Sequence, residues 1–437
     1  MTERITLTSL SYGAKAIGRA SSGKIVFVSN GCPGDVVEVE ITKETSSFCE
    51  GVITSLIEPS AQRMPPICPF AQSCGGCSWM HINYQTQLEA KRNHVVSQLN
   101  RIGGFPKDKA EELVDVCQAS KRQVGYRNKL ELSARYTNNG FSLGFHSAQS
   151  GDVVTPKTCP LAAKGIIKAP VALQGALRYL QGTRDLGLFR VGVRHSLRTK
   201  DTEIALWTKP GPFPRKAVAD TLSSALGCTS IVRVMADPGK ARKIKGVESL
   251  YGKGFWSETL VETTFKVSAP SFFQVNTAQA EKMIQTVIEG LNITKESRVA
   301  DLYCGVGSFT LPLAKRSKHV FAVESAASSV RDLRRNAQEN NVSIDVIGGD
   351  SARELPRLGN LDALIVDPPR AGLSKGVTQD IAKAAPEQVV YVSCDPATWA
   401  RDIARFKAVG YELKRAIPYD LFPQTYHIET VSFLSRC

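Results

Sequence analysis

Cys394 lies in the segment Ser393-Cys394-Asp395-Pro396, directly after the apolar run Val389–Val392. A cysteine in an apolar neighbourhood is most often a buried, inert thiol. Here Pro396 indicates that the chain has just left a strand, so an accessible thiol at the strand end is expected. A thiolate in that position is suited to covalent catalysis. Carbon 5 of uracil is a poor nucleophile, but thiolate addition at carbon 6 pushes electrons into the ring and makes carbon 5 enolate-like. After carbon 5 has been alkylated, a base must remove its proton so that the thiolate can leave. Glu429, in His427-Ile428-Glu429-Thr430, is the candidate base; a structural glutamate is the plain alternative.

A second group of residues suits a nucleoside-containing cofactor. Asp301-Leu302-Tyr303-Cys304-Gly305-Val306-Gly307-Ser308-Phe309 follows one apolar run and precedes a helical stretch. Its two glycines allow a sharp turn and close approach of backbone to ligand. Glu324 ends the next run, where a carboxylate can accept hydrogen bonds from ribose hydroxyls. Asp350 follows a third run, where a carboxylate can meet an adenine amine. Acidic residues are common at strand ends, so the weight rests on three successive ends and not on one.

A third group is Cys68, Cys74 and Cys77, with Cys159 standing alone before Pro160. The four read as candidate thiolate ligands. Cys-x2-Cys is compatible with zinc, a redox pair or an iron–sulfur centre, although a zinc ribbon usually has two close pairs. The chain has eleven cysteines in 437 residues and no basic-then-apolar leader at its start. A reducing cytoplasmic setting is therefore expected, with thiols serving as ligands or nucleophiles. No apolar run is long enough to span a bilayer, so no membrane association is expected.

The elements that must position these groups divide into three. Residues 1–58 carry short strand signals at Ile5–Leu10, Lys24–Val28, Val36–Thr42 and Val52–Ile57, punctuated by glycines, as in a small β-barrel. Residues 59–255 open on the cysteines. A helix over Tyr84–Arg101 is expected there, with Leu88, Val95 and Leu99 on one face and Gly103-Gly104 at its end. Strand signals at Leu130–Leu132 and Phe141–Phe145 then suggest antiparallel α+β structure. From 256 to 437, apolar runs at Val299–Tyr303, Val320–Val323, Ile344–Ile347, Ala363–Val366 and Val389–Val392 alternate with helical stretches, and His427–Leu434 adds a last strand. This alternation predicts an α/β domain with a parallel sheet, whose shared polarity would bring the cofactor residues, Asp367-Pro368-Pro369-Arg370-Ala371-Gly372 and Cys394 to one rim.

The net charge of +14 is concentrated in one place. Residues 59–255 hold 29 Lys and Arg against 13 Asp and Glu, whereas residues 256–437 balance at 21 each. A polyanion such as RNA is the expected partner. The basic clusters are Lys121-Arg122, Arg127 with Lys129, Arg194 with Arg198, and Lys240–Lys245. Tyr126, Phe141, Phe145, Phe189 and Trp207 lie among them and could stack on bases, although each alone reads better as a core residue.

Taken together, these motifs resemble the RNA uracil-C5 methyltransferase family, in the branch with a TRAM barrel and a cysteine-bound cluster, and within it the members that act on 23S rRNA. The resemblance covers nearly the whole chain. It includes Gly31-Cys32-Pro33-Gly34-Asp35 in the barrel and Ser271-Phe272-Phe273-Gln274-Val275-Asn276. It implies a multidomain chain: a TRAM barrel at 1–58, a central α+β iron–sulfur and RNA-binding domain at 59–255, and a Rossmann-like class I methyltransferase domain at 256–437, with helix 84–102 expected to pack on the last. It implies S-adenosylmethionine contacts from Gln274, Tyr303, Ser308, Glu324, Asp350 and Asp367, Cys394 as nucleophile and Glu429 as base. It further implies a 4Fe–4S cluster on Cys68, Cys74, Cys77 and Cys159, a monomer, and 23S rRNA ahead of tRNA as substrate. Two positions depart from the pattern. Asp395 stands where many members have Asn, and Ser308 is often Asn. A carboxylate beside a thiol disfavours the thiolate unless it points away or is paired. Three rivals fit less well. An adenine amino-methyltransferase would have an aromatic residue where Arg370 stands, and a cytosine-C5 enzyme would carry a Pro-Cys pair that Asp367–Arg370 lacks. An iron–sulfur RNA-binding protein with a decayed catalytic domain would not need the intact constellation.

Overall fold

A computed structural model of the chain describes residues 2–137, 140–148, 150–182, 185–239 and 243–437. In the N-terminal unit, six strands lie side by side in the order Thr2–Thr6, Val36–Glu44, Phe48–Glu58, Ile25–Val28, Ala16–Arg19, Ser9–Leu10. The two outermost strands are one continuous stretch of chain. At Leu7 its N–H bonds Asp35 C=O at 2.9 Å, and at Thr8 it switches to Ile17 C=O at 2.8 Å. The sheet therefore closes on itself, which removes its edges. Alternation along Val36–Glu44 turns Val37 and Val39 inward and Glu38 and Glu40 outward. Trp79 and Ile82 from the following segment complete this core.

The central sheet has seven strands in the order Ile244–Gly252, Ser230–Ala236, Thr202–Thr208, Leu188–His195, Lys129–Thr137, Gly140–His146, Val153–Val154. Every pair is antiparallel except Thr202–Thr208 with Ser230–Ala236. Helices Ala169–Gln181 and Arg215–Ala225 supply Leu173, Leu177, Val218 and Leu222 to its core.

The C-terminal sheet also has seven strands, ordered Asp345–Gly348, His319–Glu324, Arg298–Leu302, Ala363–Val366, Gln388–Ser393, Glu429–Arg436, Tyr411–Tyr419. The first five are parallel, and Glu429–Arg436 runs against both of its neighbours. The order reverses between Arg298–Leu302 and Ala363–Val366. In an open sheet this switch opens a crevice beyond the strand ends.

Helix Tyr84–Arg101 lies against this sheet, although it is far away in sequence. Asn83 caps it by accepting from Thr86 N–H at 2.9 Å. Val95, Val96 and Leu99 join Trp399, Ile403 and Phe406 in one core, each burial contributing about 1.5–3 kcal/mol. The same helix buries three polar side chains, Gln87, Lys91 and His94. Lys91 Nζ lies 2.5 Å from Asp420 Oδ1, both groups fully buried, and Tyr84 donates its hydroxyl to the other carboxylate oxygen at 2.7 Å. Removing one partner leaves an unpaired buried charge. Lys91→Met should therefore destabilise the protein by about 3–5 kcal/mol, and Lys91→Met with Asp420→Asn by clearly less. Denaturant unfolding of the three proteins checks this; an equal loss in single and double variants would contradict it.

Candidate active site

The glycine segment turns sharply after strand Arg298–Leu302. Tyr303, Gly305 and Gly307 all have positive φ, at 63°, 57° and 95°. A Cβ on Gly307 would collide with Leu311 and Leu333, so both its conformation and its space require glycine. Glu324 braces this turn from the neighbouring strand. Its Oε2 accepts from Gly305 N–H at 2.9 Å and its Oε1 from Ala326 N–H at 2.6 Å. Asp350 caps the short helix Ser351–Glu354, accepting from Ala352 N–H at 3.1 Å. Burial, and secondarily the charge of Asp350, raise the pKa of the Tyr303 phenol.

Gln274, Tyr303, Ser308 and Asp367 line one small cleft, with Phe272, Met283, Ile284, Val306 and Phe309 as its apolar wall. Glu324 and Asp350 stand outside that lining. The Gln274 side-chain oxygen is buried and without a partner among the described residues. A buried acceptor left unmatched beside a cleft is suited to a ligand's donor. The Gln274 segment is held by the central sheet. Asn128 donates from its side chain to Gln274 C=O at 2.9 Å and from its backbone to Val275 C=O at 2.8 Å. Arg194 donates to Ser268 C=O at 3.1 Å and Ser271 C=O at 2.5 Å.

Cys394 sits half-buried where strand Gln388–Ser393 gives way to helix Pro396–Ala408. Asp395 is the N-cap of that helix and Pro396 its first residue, a pairing that fixes the thiol at the turn. Asp395 Oδ1 accepts from Ala397 N–H at 3.1 Å and Thr398 N–H at 2.9 Å. The antiparallel register places Thr430 opposite Ser393, which brings Glu429 beside Cys394. Burial, then Glu429, Asp367 and Asp395, push the Cys394 thiol up to about 12, with Arg370 opposing. Burial and Asp367 raise Glu429 well above the usual carboxylate range, again against Arg370. Asp367 itself is pushed up to about 7 by burial. His427 is pushed down to about 4 by burial and by Arg370, Lys91 and Arg127, so its ring is neutral. It stacks on Tyr426 with centroids 4.3 Å apart.

Two residues of this site have no assigned role in the sequence reading. Arg370 is visible there only as a non-aromatic residue after Asp367-Pro368-Pro369. Tyr12 donates its hydroxyl to Asp395 Oδ2 at 3.2 Å from 383 positions away, and no local pattern signals it.

Cys68, Cys77 and Cys159 share an apolar cluster with Met80, Tyr126 and Leu161. Burial raises Cys77 first, followed by the charges of Cys159, Cys74 and Cys68, which places all four thiols in one neighbourhood. Gly76 N–H points to Cys74, and Leu161 and Ala162 N–H to Cys159. Among the described residues, no group of three or more His, Cys, Asp or Glu side chains stands in an arrangement that could hold a metal ion.

The structure corrects part of the basic surface. Lys129 is paired with Glu131, Arg194 is buried on backbone carbonyls and Arg198 is bound to Glu281, so these three hold the fold together and do not face a polyanion. Lys121 and Arg122 are exposed; Lys240 and Arg242 lie outside the described residues, and Lys245 pairs with Asp237. Tyr126, Phe141 and Trp207 are buried and Phe145 and Phe189 pack against core clusters, so these aromatics are structural.

Residues 257–437 match the tRNA (uracil-5-)-methyltransferase family and residues 1–54 the TRAM domain. An uncharacterized RNA methyltransferase of Thermosynechococcus vestitus is 33% identical over 445 residues, covering 99% of this chain and 98% of its own. One from Gloeobacter violaceus is 34% identical over 451 residues, covering 100% and 96%. The Pyrococcus abyssi tRNA (uracil-54, C5)-methyltransferase, solved in complex with S-adenosyl-L-homocysteine, superposes with a TM-score of 0.77 at 26% identity and 99% coverage of both chains. The chain belongs to the RNA uracil-5 methyltransferase family with an N-terminal TRAM domain, and its C-terminal sheet is the class I methyltransferase fold. It is an RNA methyltransferase. Among the described residues, no helix is long and apolar enough to cross a membrane.

The free thiol is expected to be mostly protonated near neutrality. Alkylation of Cys394, followed by mass spectrometry, should rise about tenfold per pH unit from pH 7 to 10. Arg370→Met should slow it throughout that window, because the cation favours the thiolate. A plateau reached below pH 8 would contradict this electrostatic description.

Proposed function

We propose that the protein methylates carbon 5 of a uridine in RNA, with Cys394 as nucleophile and Glu429 as base. The observation that carries this reading is the meeting of Cys394, Glu429 and Asp367 at the ends of three adjacent strands, beside the cleft of Gln274, Tyr303 and Ser308. S-adenosylmethionine supplies an electrophilic methyl group and a positive charge. Gln274 and Asp367 fit its polar groups, Tyr303 and Ser308 the mouth of the cleft, and Glu324 acts by bracing Gly305 while Asp350 stands at the rim. The Cys394 thiolate adds to carbon 6 of the base. Carbon 5, now enolate-like, would take the methyl group as the sulfonium sulfur keeps the bonding electrons; the Glu429 carboxylate then takes the carbon 5 proton, and elimination across C5–C6 expels the Cys394 thiolate. Burial and the Asp367 charge both raise the proton affinity of Glu429, so that once ionised it is a stronger base than an exposed carboxylate.

The four clustered cysteines are read as holding a 4Fe–4S centre. Their shared neighbourhood and the N–H groups aimed at Cys74 and Cys159 support thiolate ligands there. Methyl transfer uses no electron, so the centre is structural and shapes the basic domain. Among RNAs, 23S rRNA is the first reading, in a cytoplasmic monomer. The likeness over the whole chain to the Pyrococcus abyssi tRNA enzyme favours tRNA as the second.

With labelled cofactor, label should appear in 5-methyluridine and vanish in Cys394→Ala. Glu429→Gln should slow turnover about 10²- to 10⁴-fold and accumulate a denaturant-stable protein–RNA adduct. Label in another nucleoside, or retained by Cys394→Ala, rejects the chemistry. Mapping 5-methyluridine in rRNA and tRNA from cells lacking the gene decides between the two substrates. Anaerobically purified protein should contain iron and acid-labile sulfide with broad visible absorbance; colourless protein with one zinc per chain would rule the cluster out.

A further inference from the structure

The nucleophile loop is touched by a residue from the other end of the chain. Tyr12 projects from the turn Ser11–Lys15 of the N-terminal barrel, which is closed by Ser11 N–H on Lys15 C=O at 2.8 Å. Its ring is gripped edge-on by His94, 5.9 Å away at 75°, and by Tyr426, 5.7 Å away at 88°. Its hydroxyl reaches Asp395 Oδ2 at 3.2 Å. The other oxygen of that carboxylate is taken by the N–H groups of Ala397 and Thr398.

We propose that Tyr12 is a positioning residue of the active site: its hydroxyl holds and screens the Asp395 carboxylate, so that Cys394 reacts at full rate only when the TRAM barrel is seated. This rests on the reading of Cys394 as nucleophile. A carboxylate one residue from a thiol opposes thiolate formation, and that opposition weakens as donors share its charge. Asp395 has three such donors: two at a helix N-terminus, where negative charge is favoured, and the third is Tyr12. Burial and the Asp395 charge raise the phenol's pKa above its ordinary value, so Tyr12 stays a donor across the working pH range. The thiol itself faces Glu429 on the last strand, Asp367 and Arg370 on the loop after Ala363–Val366, and Asp395 on its own loop. Tyr12 faces Asp395, Cys394 and Tyr426, with the His94 ring beside it. Asn at position 395 would not need this screening. The contact therefore gives a function to the Asp that departs from the family pattern.

The test compares the full-length wild type with Tyr12→Phe, Asp395→Asn and the double variant. Phe keeps the ring and its packing, and Asn is a good helix cap, so folding is preserved. The readouts are the pH profile of Cys394 alkylation, kcat on RNA and KM for S-adenosylmethionine. Tyr12→Phe should move the alkylation profile to higher pH, lowering the rate at pH 8 and kcat by about three- to tenfold, with KM for the cofactor unchanged. Asp395→Asn should move the profile to lower pH, and in that background Tyr12→Phe should have no effect on it. An unchanged profile for Tyr12→Phe, or an equal shift in both backgrounds, overturns the proposal while leaving the nucleophile reading intact. Failure of wild-type protein to form an adduct through Cys394 with 5-fluorouridine-containing RNA overturns both.

Discussion

The arrangement of this molecule depends on one buried charge. Lys91 lies on a helix whose neighbouring face packs into an apolar core, and its buried ammonium bonds Asp420 and, at 3.2 Å, Phe422 C=O. A buried cation tolerates few geometries, because each alternative leaves a charge unpaired. The same helix face extends this constraint. Gln87 donates to Trp79 C=O at 3.1 Å and Ile82 C=O at 2.9 Å, and its amide also bonds Gln424. A ring nitrogen of His94 lies 2.9 Å from Leu10 C=O. One turn-spaced stripe of polar side chains thus locates the barrel, the segment after the cysteines and the loop that leads into His427 and Glu429.

The chemistry inherits its geometry from these attachments. Parallel strands deliver Asp367 and Cys394 to one rim, and only an antiparallel last strand can start there, which is how Glu429 arrives beside the thiol. The cofactor glutamine has a different dependence. Gln274 belongs in sequence to the methyltransferase domain, yet its backbone is held by Asn128 and its segment by Arg194. The central domain therefore helps to build the cleft lined by Gln274, as the barrel, through Tyr12, reaches the loop that carries Cys394.

What was legible in the sequence was local. Helix Tyr84–Arg101 begins and ends where its periodicity and glycines indicate. The five parallel strands stand at their apolar runs, most fully at Ala363–Val366, which is buried throughout, because a strand covered on both faces leaves such a run. The first barrel strand was expected to be unbroken and instead splits at Leu7-Thr8, since closing the barrel requires that stretch to change partners. Side-chain direction was not legible. Arg194 and Arg198 count as positive charge in any tally, but the carbonyls and carboxylate that absorb them lie on other elements, and Lys129 is paired with Glu131 along its own strand. Glu324 stands at the expected strand end, and only the coordinates show both of its oxygens engaged by backbone. The Tyr12–Asp395 contact has no periodicity to announce it.

The same burial that assembles the site keeps the Cys394 thiol protonated at rest. Around Cys394 stand Glu429, Asp367 and Asp395, and Arg370 is the cation that answers them. Asp301 is pushed up to about 7 by burial and then by the charges of Asp367 and Glu324, so the carboxyl groups behind the site resist carrying full negative charge. A protonated thiol resists oxidation and stray electrophiles, which suits an accessible cysteine waiting for a rare substrate. Its reactivity must then be raised by charge that arrives with the reactants. A cation entering the cleft beside Asp367 lowers the proton affinity of thiol and carboxylates together, whereas approaching phosphates raise it. The resting electrostatics thus couple thiolate formation to filling of the cleft, and the Tyr12 hydroxyl acts on the one carboxylate of the three that is bonded to both its own helix and the barrel.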